Sequence, residues 1–174
     1  MALKKYIKKI ALYLFNATAW LFPITGFYSL RRILLTIAGL KIGRNVRING
    51  LTRFIGDGDV HIDDDTWIGI NSSFYLTRLA KITIGKQCDI APDVKFVPGS
   101  HIPGYSTRRA GQPSAENIVI ENGCWIGAGV TILGGVTIGS GSIIGACSLV
   151  DSDIPPNSLA VGVPATVKKM LDAK

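Results

Sequence analysis

Two histidines occur in the chain of 174 residues, and one of them, His101, is placed where it could act as a general base. His101 lies in the segment Pro98-Gly-Ser-His101-Ile-Pro-Gly-Tyr105, whose glycines and prolines predict a loop. An imidazole titrates near neutral pH and can take a proton from a hydroxyl group. The chain has no Gly-x-Ser-x-Gly motif of the kind that carries a nucleophilic serine. The alternative is a loop histidine without a catalytic role.

Charged residues surround this histidine in the same loop. Arg108 and Arg109 follow Tyr105 closely and could hold a sugar phosphate or a carboxylate, or pack against a neighbouring subunit. Glu116, at the far end of the loop, could orient the His101 ring, or it could be a solvated surface residue. The loop is therefore the candidate acceptor-binding region.

Metal chemistry is not indicated by the remaining candidate ligands. The second histidine, His61, falls at a repeated structural position that Thr83, Val119 and Thr137 occupy elsewhere. The three cysteines are scattered and fall on or beside small inward positions of the repeat: Cys88, Cys124 and Cys147. Because no His/Cys cluster has the spacing of a zinc site, we predict no catalytic metal and no disulfide.

The element that must position these residues is a six-residue repeat. An isoleucine, valine or phenylalanine recurs at every sixth position, usually followed by a glycine or another small or acidic residue. The pattern shows neither the 3.6-residue periodicity of an amphipathic helix nor the strict two-residue alternation of an ordinary strand. Hexapeptide repeats indicate a parallel β-helix, in which the branched residue points inward and stacks on its counterpart in the next coil.

The hexads group into five triples that begin at Ile42, Ile62, Ile84, Ile120 and Ile138. Three hexads make an 18-residue coil, which suits a three-sided prism. Successive triples start 20, 22, 36 and 18 residues apart, so every insertion falls in a third hexad, at one edge of the prism. Phe54, Phe74 and Phe96 begin the third hexads and are predicted to stack inside. The one large insertion, about residues 97–117, contains His101.

The first forty residues do not share the repeat. Four lysines at positions 4, 5, 8 and 9 precede an uncharged stretch from Ile10 to Leu30, which Pro23 interrupts. We predict two helices, the second from about Tyr28 to Ala38 and ended by Gly39. They could cap the open end of the prism, as solenoids require, or attach the protein to a membrane surface as a basic amphipathic segment. A true membrane span fits less well, because the stretch contains several polar residues.

The predicted organisation is a helical segment that caps the prism or attaches to a membrane (1–41), the β-helix (42–155), and a tail with a strand and a short helix (156–174). Nineteen lysines and arginines against twelve acidic residues give a net charge of +7. This charge favours an anionic partner or surface. No nucleic-acid-binding motif is present, so we expect no nucleic-acid partner.

Residues 82–169 resemble the hexapeptide-repeat acyltransferases of the left-handed β-helix type. The resemblance rests on Ile90-Ala-Pro92, the loop with His101, Gly123-Cys-Trp-Ile-Gly127, Asp153-Ile-Pro-Pro-Asn157 and Gly162-Val-Pro-Ala165. The N-terminal part, with Gly39-Leu-Lys-Ile-Gly43, looks more loosely like members that acetylate surface polysaccharides. The resemblance implies an all-β solenoid with left-handed winding, a homotrimer, and acetyl-CoA as the acyl donor.

The resemblance also implies roles for individual residues. The residue that matches His101 removes the proton of the acceptor, and a polar residue near Asp93 faces the acceptor or supports the base; a solvated edge is the alternative for Asp93. The donor would lie along the last coils, near Trp125, Gly127, Ala128, Gly145, Ala146, Lys168 and Lys169. Asp151-Ser152 and Thr166 depart from the family pattern, so some phosphate contacts must differ.

These observations predict an acetyl-CoA-dependent O-acetyltransferase that acts on the hydroxyl of a sugar or lipid-linked saccharide, in the cytoplasm or at the inner face of the membrane. Alternatives on the same scaffold are N-acetylation of a nucleotide-linked amino sugar and acetylation of a xenobiotic. An alternative of another class is a binding β-helix without chemistry.

Overall fold

The computed structural model describes residues 2–19 and 21–173, and of residues 2–5 and Thr18 it describes the backbone alone. Helix α1 spans Ala2–Thr18 and helix α2 spans Tyr28–Ile37. The second helix therefore ends within one residue of its predicted end, and Gly39 follows with a positive φ of 83°. The side chains of Lys4 and Lys5, part of the predicted basic segment, lie outside the described residues.

The strands after the helices fall into sets of three. The first three sets are β1 (Lys41–Ile42), β2 (Arg47–Ile48) and β3 (Arg53–Gly56); β4 (Asp59–Ile62), β5 (Trp67–Ile68) and β6 (Ser73–Leu76); and β7 (Lys81–Ile84), β8 (Asp89–Ile90) and β9 (Lys95–Val97). A hairpin follows, formed by β10 (Gly99–Pro103) and β11 (Ala110–Ala115). The remaining strands are β12 (Ile118–Ile120), β13 (Trp125–Ile126), β14 (Thr131–Leu133), β15 (Thr137–Ile138), β16 (Ile143–Ile144), β17 (Leu149–Val150), β18 (Ser158–Gly162) and β19 (Ala165–Met170).

Three sheets form the walls of a prism, with parallel pairing throughout apart from β19. Face A has the order β1-β4-β7-β12-β15, face B has β2-β5-β8-β13-β16-β18-β19, and face C has β3-β6-β9-β14-β17. Equivalent residues of successive coils are in register, for example Ile62 with Ile84 and Ile126 with Ile144. The fold is therefore the parallel β-helix that the six-residue period predicts.

The repeated branched residues form the core. Ile48, Ile68, Ile84, Ile126 and Ile144 are each at most 1% exposed, and each such burial contributes about 1.5–3 kcal/mol. The predicted phenylalanine ladder is confirmed: the Phe54 and Phe74 rings stack with centroids 4.6 Å apart, and those of Phe74 and Phe96 are 4.4 Å apart. The small fifth residues of the hexads, such as Thr52, Ser72 and Cys124, are also buried, as predicted.

The corners that follow faces A and B have a left-handed backbone at the third residue after each inward branched residue. Glycine occupies this position in the later coils, at Gly123, Gly129 and Gly141. Asparagine, aspartate, glutamine or leucine takes it in the earlier coils, and all of them have φ near +60°. Asn and Asp tolerate this region better than most residues, so the sequence changes while the turn is kept.

The helices close the N-terminal end of the prism. Leu12, Phe15 and Leu35 are buried against the first coil, and the Phe15 ring meets Phe54 edge-on at 5.6 Å. The buried guanidinium of Arg31 donates to the carbonyls of Pro23 and Gly26 at 2.8 and 2.7 Å. Burial lowers the pKa of Arg31, and these carbonyl contacts fix the link between the helices.

The predicted short C-terminal helix is wrong. Residues 165–170 form β19, which pairs antiparallel with β18 along the edge of face B. Without this strand the outer edge of β18 would expose unpaired backbone groups, because a β-helix has open sheet edges at its ends. β-Branched Thr166 and Val167 favour the extended conformation over a helix.

Candidate active site

His101 lies on a β-hairpin arm that leaves the prism between face C and face A. The arm consists of β10 and β11, with His101 opposite Pro113, and a register shift follows between His101 and Pro103. His101 is exposed. The predicted loop of residues 97–117 is therefore an ordered arm, and it presents the imidazole outside the core.

The tip of the arm carries the predicted acceptor-binding residues Tyr105, Arg108 and Arg109. Tyr105 is 88% exposed, and Tyr105 and Arg108 line a cleft of about 490 Å³ within the arm. Arg109 donates to the carbonyl of Gly104 at 3.3 Å, so it stabilises the turn of the arm itself. The structure thus groups these three residues on one arm with His101.

Glu116 lies at the base of the arm and not beside the imidazole. Its amide donates to the carbonyl of Pro98 at 3.1 Å, which closes the arm. A Cβ on Gly135 would lie 2.3 Å from Glu116 Oε2, so the carboxylate covers this glycine. Among the described residues, His101 and Glu116 share no hydrogen bond, so the structure gives no support to the predicted orienting role.

Asp93 is not brought next to His101 within one chain. It lies at the corner between faces B and C with φ +63°, and its Oδ1 accepts a hydrogen bond from Asn71 Nδ2 at 2.6 Å. The next corner residue up the prism is Gly129, whose amide donates to the carbonyl of Pro92. Asp93 therefore belongs with the corner that holds Gly127 and Ala128.

The predicted donor-binding residues follow one strip along face B and its B–C corner. Trp125 in β13 is 56% exposed and pairs with Asp89 below and Ile143 above. Lys168 and Lys169 lie exposed on β19, three strands away, which is roughly 15 Å. Lys168 falls where the register of β18 and β19 shifts. A bulge of this kind turns a side chain away from the regular alternation.

The two glycines of this strip are already required by the stacking of the coils. A Cβ on Gly127 would lie 2.6 Å from the amide nitrogen of Ala146 and 2.7 Å from the carbonyl oxygen of Ile144. A Cβ on Gly145 would lie 2.5 Å from Val161 Cγ1. Their small size therefore serves the fold, whether or not a ligand approaches them.

The arm and the strip lie on opposite sides of the prism. His101 leaves from the corner between faces C and A, and in a three-sided prism this corner is opposite face B, where Trp125 lies. A single copy of the chain therefore keeps the candidate base away from the candidate donor strip.

Comparisons with known proteins agree with this architecture. The family model of the bacterial transferase hexapeptide (six repeats) matches residues 117–152. WcaF of Escherichia coli, assigned to colanic acid biosynthesis as an acetyltransferase, is 32% identical over 152 residues, which are 87% of this chain and 81% of that protein. The chain belongs to the hexapeptide-repeat acetyltransferase family.

One further relative and one solved structure are both galactoside acetyltransferases. The galactoside O-acetyltransferase of Lactococcus lactis is 38% identical over 106 residues, 60% of this chain and 51% of that protein. A galactoside acetyltransferase solved in complex with coenzyme A is 30% identical with a TM-score of 0.80, covering 97% of this chain and 81% of that one. The chain spans about half the length of the first curated relatives it matches. Left-handed winding and trimerisation remain predictions.

A second cleft on face B was not anticipated from the sequence. It measures about 380 Å³ and is lined by Arg32, Arg47, Trp67, Asp89 and other residues of the first coils. The Arg47 guanidinium lies 5.5 Å from the Trp67 ring centroid. Arg47, Trp67, Asp89 and Trp125 occupy equivalent positions in successive coils. Counting the outward positions of the hexads would have revealed this column.

The cysteines are free, and Cys88 and Cys124 are buried as predicted, whereas Cys147 is exposed. The Cys88 thiol donates to the carbonyl of Glu121 at 3.1 Å and the Cys124 thiol to that of Gly139 at 3.2 Å. A hydrogen bond with Cys88 and burial raise the pKa of Cys124 far above its usual value. Within residues 2–19 and 21–173 no group of three or more His, Cys, Asp or Glu side chains could hold a metal ion.

Proposed function

We propose that this protein is an acetyl-CoA-dependent O-acetyltransferase that acts on a sugar hydroxyl in surface polysaccharide assembly, with His101 as the general base. One observation carries the proposal: the single large interruption of the repeat is an ordered arm that presents an exposed histidine. The named relatives, a galactoside O-acetyltransferase and WcaF, support a saccharide acceptor.

The chemistry requires one proton transfer and one displacement. The imidazole of His101 takes the proton of the acceptor hydroxyl while the hydroxyl oxygen forms a bond to the thioester carbon. The carbon–sulfur bond then breaks, and the leaving thiolate takes the proton back from the imidazolium. The products are an O-acetyl ester and coenzyme A, and no covalent acyl-enzyme forms. General base catalysis of this kind contributes about 10²–10⁴-fold.

The donor strip on face B supplies suitable contacts. The exposed ring of Trp125 would lie near the thioester of the donor. The small residues Gly127, Ala128, Gly145 and Ala146 would leave the backbone of this corner accessible to the pantetheine arm. Lys168 and Lys169 carry positive charge at the far end of the same sheet, where phosphates would lie. The galactoside acetyltransferase with bound coenzyme A supports this donor.

Each site would form between two copies of the chain. Because His101 and Trp125 lie on opposite sides of one prism, a neighbouring copy must turn its face B toward the arm. A homotrimer provides this arrangement three times, and the arm residues Tyr105 and Arg108 would then face an acceptor in the cleft between copies.

The test is release of free thiol from acetyl-CoA across a panel of free sugars, amino sugars, nucleotide-linked sugars and lipid-linked saccharides. The matched control is His61→Thr, since Thr83 occupies the equivalent position one coil away. We expect His101→Ala to lose about 10²–10⁴-fold in kcat with an unchanged melting temperature, and His61→Thr to retain activity. Near wild-type turnover by His101→Ala would refute the base. If acetyl transfer occurs only to an amine, the protein is an N-acetyltransferase and not an O-acetyltransferase. If neither transfer nor CoA binding is detected, a binding protein without catalytic activity is favoured.

A further inference from the structure

We propose that helices α1 and α2 bind the surface of an anionic lipid bilayer. The observation behind this is a concentration of exposed apolar side chains at the N-terminal end. Among the residues described between Tyr6 and Ile37, eleven large apolar side chains are exposed: Tyr6, Ile7, Ile10, Tyr13, Leu14, Leu21, Ile24, Phe27, Leu30, Ile33 and Ile37.

Helix α1 is apolar on two opposite sides. Leu12 and Phe15 are at most 5% exposed and pack on the first coil. Ile10, Tyr13 and Leu14 point away from the prism and are more than half exposed. A helix that only capped a solenoid would need a polar outer side to keep the protein in solution. The outer side of α1 therefore serves something besides capping.

Helix α2 repeats this arrangement on a shorter scale. Leu35 is fully buried, whereas Leu30, Ile33 and Ile37 follow one another at intervals of three and four residues and are exposed. This spacing places them on one stripe of the helix. The link between the helices adds exposed Leu21, Ile24 and Phe27. The apolar surface is thus continuous in sequence from α1 to α2.

Charge determines which partner fits this surface. Residues 1–56 contain ten of the nineteen lysines and arginines and none of the twelve acidic residues, although the chain as a whole is mixed. Lys8 donates a hydrogen bond to the carbonyl of Gly58 and forms a salt bridge with Asp59, whereas Lys9 is exposed. An exposed apolar surface in a segment that carries positive charge and no acidic residue is complementary to a layer of anionic headgroups over acyl chains.

The attachment would lie in the plane of the interface. Neither described helix is long and apolar enough to cross a bilayer. The helices are also fixed to the prism, because Asn16 and Arg31 hydrogen bond to backbone groups of the first coil. Binding would therefore hold the N-terminal end of the prism against the lipid without unfolding the cap.

The experiment is flotation of the full-length protein with vesicles of phosphatidylcholine alone and of phosphatidylcholine mixed with phosphatidylglycerol. We expect flotation with the anionic vesicles. The variant Ile10→Ser/Leu14→Ser should reduce the partition coefficient about tenfold or more for each side chain. Its control is Val163→Ser, which removes an exposed valine between β18 and β19, at the opposite end of the prism. Lys9→Glu should weaken binding roughly fivefold or more, whereas Lys86→Glu changes the net charge equally and should not.

The outcomes separate the proposal from its alternatives. Unchanged melting temperatures show that the variants fold, since none of the altered side chains is buried. Failure of the wild-type protein to float with anionic vesicles overturns the proposal. If the same apolar variants instead abolish self-association measured by light scattering, and the wild type does not float, the surface contacts a second copy. Neither outcome bears on thiol release from acetyl-CoA, so the enzymatic proposal is tested separately.

Discussion

The side-chain amide of Asn16 pairs with both backbone groups of Phe54. Asn16 Nδ2 donates to the Phe54 carbonyl at 2.9 Å, and the Phe54 amide donates to Asn16 Oδ1 at 3.1 Å. The side chain thus takes the place of the strand that the first coil lacks on face C. One residue of α1 therefore pairs with the open edge of face C at the N-terminal end of the phenylalanine ladder.

Loss of this pair should destabilise the protein measurably. Asn16→Ala leaves a backbone amide and a carbonyl without partners near the core, and we expect a loss of about 1–3 kcal/mol in the free energy of unfolding. Denaturant unfolding monitored by circular dichroism measures it. Ser29→Ala, an exposed position on α2, is the control and should change little. Equal stability of both variants would contradict the role of Asn16.

Glycine 127 should tolerate no methyl group, although alanine is normally acceptable on a surface corner. The added Cβ would collide with backbone atoms of Ala146 and Ile144, which cannot rotate away. We expect Gly127→Ala to lose about 1–3 kcal/mol. Gly99→Ala is the control, because nothing lies within 4 Å of its Cβ, and this variant should be neutral or slightly more stable. Thermal melts of both variants distinguish the outcomes.

Acidification should weaken the contact between Glu121 and Ser140. Glu121 Oε2 accepts hydrogen bonds from the Ser140 hydroxyl at 2.8 Å and from its amide at 2.9 Å. These hydrogen bonds lower the pKa of Glu121 below its ordinary value of 4.5. A lowered carboxylate pKa adds stability above pH 4.5, and this stability is lost as the pH falls through the lowered value.

We therefore expect Glu121→Gln to flatten the decline of stability with pH below 4.5, measured by urea unfolding at several pH values. Some decline should remain, because Arg78 and Arg44 also lower the pKa values of Asp57 and Asp64. An unchanged slope in the Glu121 variant would show that this contact does not contribute to acid sensitivity.

Binding of coenzyme A should be visible in the fluorescence of Trp125. The ring is more than half exposed on the proposed donor strip, so a bound pantetheine would displace water from it. We expect the change on adding CoA to disappear in Trp125→Phe and to persist in Trp67→Phe, which alters the same column two coils away. KM for acetyl-CoA should rise in Trp125→Ala. A signal that survives Trp125→Phe would place the donor elsewhere.

The regular part of the fold was predictable because the position of a residue within its hexad determines whether its side chain points into the core. The inward residues Ile68 and Ile126, the ladder of Phe54, Phe74 and Phe96, and the edge that takes the insertions all follow from counting positions. The left-handed corner residues were only partly visible, since Gly129 marks such a turn but Leu51 does not. Asn16 was hidden as well, because its partner is 38 residues away.

The tail and the site show where local pattern is insufficient. Residues 165–170 form a strand because the edge of β18 needs a partner, and the weak strand preference of Thr166 and Val167 does not by itself identify that partner. The family resemblance grouped Asp93 with the acceptor or the base, yet within one chain Asp93 and His101 lie at opposite edges of face C. Which residues meet in a site depends on the corner at which each one leaves the coil and, in the proposed function, also on a second copy.

The insertions of 2, 4 and 18 residues all lie at the corner between faces C and A. The number of residues in this connection therefore varies while the inward side chains of the coils keep their stacking. A descendant of this chain could lengthen, shorten or replace the arm without altering an inward residue. If the arm selects the acceptor as proposed, folding and acceptor choice depend on separate parts of the sequence, and selection can change one without changing the other.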